Sequence, residues 1–187
     1  NRDGALRLYP GSPWLVAQAL RAGDRYIACE LRPEEHRALA ATLKGRAGVD
    51  AFCADGYETA VQRLPARGPA LVLIDPPFER PDDYRRCVRT AADLRRRNRD
   101  AVIVIWLPLK DLETFDAFLR DLEEAARAPV LVAETRIRPL SDPMKMNGCV
   151  LALIGAPAGV ASDLQPICAW VAQTLGDRGE GRVWQVD

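Results

Sequence analysis

The stretch Ala70–Arg80, ALVLIDPPFER, limits what this chain can fold into more than any other. Leu71, Val72, Leu73 and Ile74 are apolar without alternation, the pattern of a strand buried on both faces in the middle of a parallel sheet. Pro76 and Pro77 cannot donate ladder hydrogen bonds, so the strand must stop at Asp75. Asp75 and Phe78 are then held on a stiff turn at the carboxyl end of a central strand, where open α/β sheets place their ligands. An ordinary strand with a Pro-rich turn is the simpler alternative. The order of acid, two prolines and an aromatic argues against it.

The rest of the chain supplies a sheet for this strand. Ser12 and Pro13 in LRLYPGSP form an N-cap and first helical residue, followed by an apolar face of Leu15, Val16, Ala19 and Leu20 that Gly23 closes. Arg25–Glu30 predicts a short strand ending in an acid. A helix opens at Pro33 and runs to about Lys44. Val49–Ala54 is a second strand, followed by Asp55, Gly56 and Tyr57, and a short helix to Leu64. Beyond Phe78, Asp82 or Asp83 caps a helix carrying Tyr84, Val88, Ala91 and Leu94. Ala101–Leu107 is a buried strand, and Asp111 caps a helix with Leu112, Phe115, Leu119, Leu122 and Ala126 at three-four spacing. Val130–Ile137 and Cys149–Ile154 close the sheet as a returning pair around a polar tip at Arg138–Gly148. A helix over Asp163–Leu175 and an edge strand over Arg182–Val186 finish the chain. Strands alternating with helices up to a closing hairpin predict an α/β fold, a mostly parallel sheet with an antiparallel edge. With 187 residues and no repeat or linker, one domain is expected.

Composition excludes several classes. Twenty-six basic and 26 acidic residues balance, so net charge does not argue for a nucleic-acid partner. The five cysteines, Cys29, Cys53, Cys87, Cys149 and Cys168, form no C-x-x-C pair, which favours a reducing compartment over a disulfide framework. With His36 as the single histidine, no metal site is expected. Neither an apolar run long enough to span a bilayer nor a signal peptide is present, so the expected location is the cytoplasm and no membrane partner is predicted.

Three successive strands end in an acid: Glu30, Asp55 and Asp75. In a parallel sheet their carboxylates emerge at one edge and line one crevice. Glu30, before Leu-Arg-Pro-Glu-Glu, suits two vicinal ribose hydroxyls. Asp55 suits an adenine amino group, with Gly56 letting the backbone approach the ring. Each acid taken alone reads more readily as a cap or loop residue.

Asp-Pro-Pro-Phe after an apolar strand resembles the signature of amino-group methyltransferases that use S-adenosyl-L-methionine. The chemistry suits the residues. An aromatic amine has its lone pair delocalised into the ring. A carboxylate and a carbonyl of the proline rim, accepting its two N–H bonds, favour a more tetrahedral nitrogen aimed at the sulfonium methyl. Phe78 offers a face on which an extruded base can stack. Taken with LRLYPGSPWLV, CELRPEE, ADGYE and LVLIDPPFERPDDY, the sequence resembles the RlmJ family of 23S ribosomal RNA adenine-N6 methyltransferases, formerly described as needed for using external DNA as a nutrient. The resemblance runs from about Leu6 to the C-terminus.

The resemblance implies a Rossmann-like class I methyltransferase fold, S-adenosyl-L-methionine as cofactor and 23S ribosomal RNA as partner, with a monomer favoured. It assigns Ser12, Glu30, Asp55 and Gly56 to the cofactor. Asp75 is the catalytic acid, and Pro76, Pro77 and Phe78 shape the base pocket. The family's strand leading into an Asp-x-His-Ala-Gly-x-Gly loop is not found in these 187 residues, so the central first strand of the sheet is expected to be absent and the domain to be N-terminally truncated relative to the family. The same acid-Pro-Pro-aromatic turn serves enzymes acting on DNA adenine or on protein glutamine, and a non-catalytic nucleic-acid-binding fragment is the alternative of another class. Arg85, Arg86, Arg89, Arg95, Arg96, Arg97 and Arg99 read as a solvated helix face. Arg136, Arg138 and Lys145 are the better phosphate contacts.

Overall fold

Local rules set most of the elements. The computed structural model describes residues 9–140 and 145–186, which hold, in chain order, α1 (Ser12–Ala19), β1 (Tyr26–Cys29), α2 (Pro33–Leu43), β2 (Val49–Phe52), α3 (Gly56–Arg63), β3 (Ala70–Ile74), α4 (Asp83–Arg97), β4 (Ala101–Leu109), α5 (Leu112–Ala126), β5 (Val130–Arg136), β6 (Gly148–Ile154), α6 (Val160–Leu175) and β7 (Glu180–Val186). The start of LRLYPGSP and the centre of the polar tip before β6 lie outside the described residues. The chain divides into two compact units, Asn1–Thr59 and Ala60–Asp187, and the described strands form two sheets.

The first unit is a parallel pair. β1 and β2 run in register from Tyr26 opposite Val49 to Cys29 opposite Phe52. Ala17, Ala28 and Leu43 form its core, with Tyr26, Leu39, Val49 and Ala51 packed around them. Gly48 sets the entry to β2: its φ of +74° is open to glycine, and a Cβ there would sit 2.6 Å from the Asp24 carbonyl oxygen. Its own carbonyl accepts the Tyr26 N–H at 2.8 Å. The expected Ser12 cap is corrected. Gly11 is the N-cap, extended at φ −76° and ψ 164°, and no side chain caps the helix. The Gly11 carbonyl accepts from Trp14 and Leu15 N–H, so the helix starts one residue early and Ser12 is its first residue. α1 also ends at Ala19, and Gly23 turns the chain toward β1 instead of closing the helix.

The second unit carries a five-stranded sheet in the order β3-β4-β6-β5-β7. β3 and β4 are parallel, from Ala70 opposite Ala101 to Ile74 opposite Ile105. β6 lies antiparallel between β4 and β5, and β7 runs antiparallel along β5. β3, β4 and β5 therefore point their carboxyl ends to one edge. Ile103, Ile105, Leu107 and Leu109 alternate inward from β4 and are buried, as are Cys87, Ala91 and Leu94 of α4 and Phe115, Phe118, Leu119 and Leu122 of α5. Burial of each large side chain contributes about 1.5–3 kcal/mol. As expected, Asp111 caps α5, accepting from the Thr114 N–H at 2.8 Å.

β3 is not the doubly buried central strand that its composition suggests. Leu71 and Leu73 are 66% and 42% exposed, and β3 pairs only with β4 among the described residues. Period-two geometry sends Val72 and Ile74 to the covered face and Leu71 and Leu73 to the other. Its position is held from behind: Asn98 Nδ2 donates to the Gly68 carbonyl at 2.9 Å, and the Gly68 N–H donates to Asp100 at 3.0 Å.

At the other side of the sheet, fully buried Glu134 on β5 accepts from Arg136 and, at 2.7 Å, from Arg182 on β7. Two guanidinium partners make a buried carboxylate tolerable. Among the described residues no helix is long and apolar enough to cross a membrane.

Candidate active site

Asp75 leaves the carboxyl end of β3 as Pro76 and Pro77 end the ladder. It is exposed, and among the described residues no group donates a hydrogen bond to it. The turn nevertheless withdraws its carboxyl partly from water, which raises its pKa above the ordinary 3.8. An acid with its acceptor sites uncommitted, and its charged form mildly disfavoured, is suited to accept N–H bonds from a ligand.

Phe78 takes φ +51°, a left-handed backbone uncommon for an aromatic residue and costing about 1–2 kcal/mol. Such strain persists only where surroundings hold it. Its ring is half-buried and packs against Tyr84 of α4 at 4.8 Å between centroids and Trp106 of β4 at 6.2 Å. Tyr84 in turn meets Phe118 of α5 edge-on at 6.0 Å. The start of α4 is fixed by Asp83, which accepts the Arg80 N–H at 3.1 Å while its own N–H donates to the Arg80 carbonyl. Of the expected capping residues, Asp82 occupies the N-cap without a side-chain bond, and Asp83 closes the turn before the helix. Burial pushes the Tyr84 hydroxyl pKa up, helped by the charges of Asp111, Cys87 and Asp83. Beyond Tyr84, an open groove of about 350 Å³ runs between α4 and α5, lined by Arg85, Val88, Thr114, Ala117 and Phe118.

In the first unit, Glu30 and Asp55 follow the parallel strands β1 and β2 and so share one edge of that pair. Both already serve their own loops. Glu30 accepts the Arg32 N–H at 2.8 Å. Asp55 accepts the Tyr57 N–H at 2.9 Å and the Glu58 N–H at 3.4 Å, capping α3. Gly56 is the first residue of α3 and has no positive φ, and a Cβ there would make ordinary contact with Cys29 at 3.5 Å. Cys29 ends β1, immediately before Glu30. Burial pushes its thiol up, against a hydrogen bond with Thr59 that lowers it.

The basic residues separate into structural and exposed groups. Arg97 donates to the Leu64 carbonyl and Arg95 to those of Arg99 and Ala101, while Arg96 pairs with Asp93. Arg85 and Arg89 are exposed. Arg136 is tied to Glu134, whereas Arg138 is exposed just beyond β5. β5 lies three strands from β3, about 14 Å across the sheet, with its carboxyl end at the same edge. Among the described residues no group of three His, Cys, Asp or Glu side chains is placed to hold a metal.

The sequence singles out Asp75 and Phe78 as candidates but gives no sign of the rings packed behind them. Tyr84, Trp106 and Phe118 come from three different elements, α4, β4 and α5, and meet the turn only in the folded chain.

Comparison with known proteins supplies the remaining observations. A family described as "Ribosomal RNA large subunit methyltransferase D, RlmJ" matches residues 1–186. Ribosomal RNA large subunit methyltransferase J of Haemophilus influenzae is 30% identical over 97% of this chain, and its Escherichia coli counterpart is 29% identical over 97%. The chain spans 65% of the length of each. A crystal structure of a Legionella pneumophila protein superposes with a TM-score of 0.84 at 25% identity, covering 94% of this chain and 66% of that one. A precorrin-6y C5,15-methyltransferase of Geobacter metallireducens shares the fold at a TM-score of 0.50 and 19% identity, over 77% of this chain and 74% of that one.

Proposed function

Since the chain belongs to the RlmJ family of ribosomal RNA large subunit methyltransferases, we propose that it serves transfer of a methyl group from S-adenosyl-L-methionine to the N6 amine of an adenine in 23S ribosomal RNA. The family and the Rossmann-like methyltransferase fold imply a methyl donor. The observation that carries the adenine reading is the uncommitted, partly desolvated Asp75 at the carboxyl end of a strand, followed by Pro76, Pro77 and Phe78.

In this reading Asp75 and a proline-rim carbonyl accept the two N–H bonds of the target amine and aim its lone pair, while Phe78 stacks on the base. The cofactor supplies an electrophilic methyl on a sulfonium. Ser12, Glu30, Asp55 and Gly56 are the residues proposed to hold it. The two acids suit that role because a carboxylate has about four acceptor sites, more than the one backbone bond at Glu30 or the two at Asp55 occupy. Arg138 and Lys145 are proposed phosphate contacts at the same edge as Asp75. The two units are read as parts of one methyltransferase domain acting in the cytoplasm.

Calorimetry with S-adenosylhomocysteine, paired with tritium transfer from S-adenosyl-L-methionine to deproteinised large-subunit RNA and to duplex DNA, tests the proposal. Heat of binding and labelling of RNA over DNA are expected. Absence of binding heat contradicts the enzyme reading, and preferential labelling of DNA contradicts the ribosomal target.

A further inference from the structure

Phe78 holds a left-handed backbone that an aromatic residue rarely adopts, and nothing within its own turn explains why. Pro76 and Pro77 restrict their own φ angles but leave Phe78 free to relax toward an extended conformation. What opposes relaxation comes from outside. Tyr84 sits one residue after Asp83, whose buried carboxylate accepts the Arg80 N–H at 3.1 Å and whose N–H returns a bond to the Arg80 carbonyl. That two-way closure places the Tyr84 ring 4.8 Å from the Phe78 ring, tilted by 46°. Behind Tyr84 stands Phe118, 3% exposed, in the centre of α5. Trp106 on β4 bounds Phe78 at 6.2 Å. A relay of rings thus runs from the core of α5 to the turn that carries Asp75.

We infer that Tyr84 is a positioning residue for methyl transfer, acting through Phe78: its ring, backed by Phe118, holds Phe78 in the left-handed conformation and keeps the free face of that ring turned to receive the target base. The inference rests on the adenine-N6 reading above for its substrate, but its structural half does not. The ring does the work and the hydroxyl is dispensable, since no hydrogen bond of the Tyr84 hydroxyl is present among the described residues. Offset or tilted aromatic pairs hold orientation better than aliphatic contacts of equal area, and a misplacement of about 1 Å near reacting atoms can cost on the order of a hundredfold in rate.

The test combines kinetics with a readout that needs no substrate. The chain has four phenylalanines, Phe52, Phe78, Phe115 and Phe118, so 4-fluorophenylalanine labelling gives a fluorine spectrum in which Phe78→Leu assigns the resonance of interest. Tyr84→Phe, which adds a fifth labelled ring, should keep the Phe78 resonance single and narrow and the transfer rate within twofold of the parent. Tyr84→Leu, which keeps apolar packing on Phe118, should broaden or split the Phe78 resonance beyond the shift caused by losing the neighbouring ring, and lower kcat about tenfold, with KM for S-adenosyl-L-methionine unchanged. The double variant Phe78→Leu/Tyr84→Leu should be no slower than Phe78→Leu alone. A Phe78 resonance that stays single and as narrow as in the parent in Tyr84→Leu overturns the proposal, as does a double variant slowed by the product of the two single effects. If no version transfers a methyl group to RNA, the functional reading fails, and the fluorine spectra still decide whether Tyr84 holds Phe78.

Discussion

Asp55 and Asp75 each follow a short parallel strand, one in each unit, yet the molecule treats them differently. Asp55 is consumed locally: two backbone N–H groups at the start of α3 bond to its carboxylate, as at any well-formed N-cap. Asp75 has no such helix to cap. Two prolines follow it, and the residues that α4 uses to start, Asp82 and Asp83, come later. Its carboxyl is left partly desolvated with no donor among the described residues. The units differ in the same way as wholes. The first is a two-stranded pair over a core of two alanines and a leucine. The second has a sheet of five strands and a ring-packed turn. Small side chains and local hydrogen bonds suit a unit that presents loops, and a large rigid core suits the proposed role of holding reacting groups in place.

Five substitutions break or sharpen this contrast. The largest effect is expected at Asp75. Asp75→Ala should lower methyl transfer by about 10²–10³, the loss typical of removing one preorganised electrostatic contact, with little change in melting temperature. Equal loss from Asp55→Ala in a fully folded protein would erase the distinction. Next, Leu122→Ala, at a fully buried position of α5, should destabilise the second unit by about 3 kcal/mol in denaturant titration. Amide exchange in β1 and β2 should be far less affected than in β4 and β5.

Asp55→Ala should cost about 1 kcal/mol through the lost cap, while Asp55→Asn recovers most of it because the amide oxygen still accepts the Tyr57 N–H. The smallest effect concerns pH. The pKa of Asp75 is raised in the folded state, so its ionised form weakens the fold as pH rises through that pKa, and the penalty disappears below about pH 4, where both states are protonated. Asp75→Asn should therefore melt slightly higher than the parent at pH 7, and the difference should vanish at pH 3.5. A lower melting temperature at pH 7 would mean that the carboxylate is stabilised by a charge or donor.

The elements were legible because their signals are local. Prolines end β3, Asp111 and Thr114 form the cap of α5, and three-four spacing of Phe115, Leu119 and Leu122 sets its buried face. The candidate site was legible where it is contiguous, at Asp75 to Phe78. Two expectations failed for the same reason. An unbroken apolar run identifies β3 as a strand without revealing how many neighbours it has, and Leu71 and Leu73 turned out exposed. A serine before a proline satisfies the rules for an N-cap, but Gly11 could adopt the extended conformation one residue earlier. Arg97 and Arg95 show the converse: a basic run suggests an open surface, whereas these two guanidinium groups bind carbonyls that tie α4 to the segments around β3 and β4. The relay Phe118–Tyr84–Phe78 was invisible for lack of any sequence proximity between α5 and the turn.

The catalytic assignment of Asp75 is tested most directly by nucleoside mass spectrometry of deproteinised large-subunit RNA incubated with the protein and S-adenosyl-L-methionine, in parallel with Asp75→Ala. N6-methyladenosine should form with the parent protein and fall by about 10²–10³ with the variant. Methylation of a different nucleoside, or N6-methyladenosine formed equally well without the Asp75 carboxylate, would contradict the assignment.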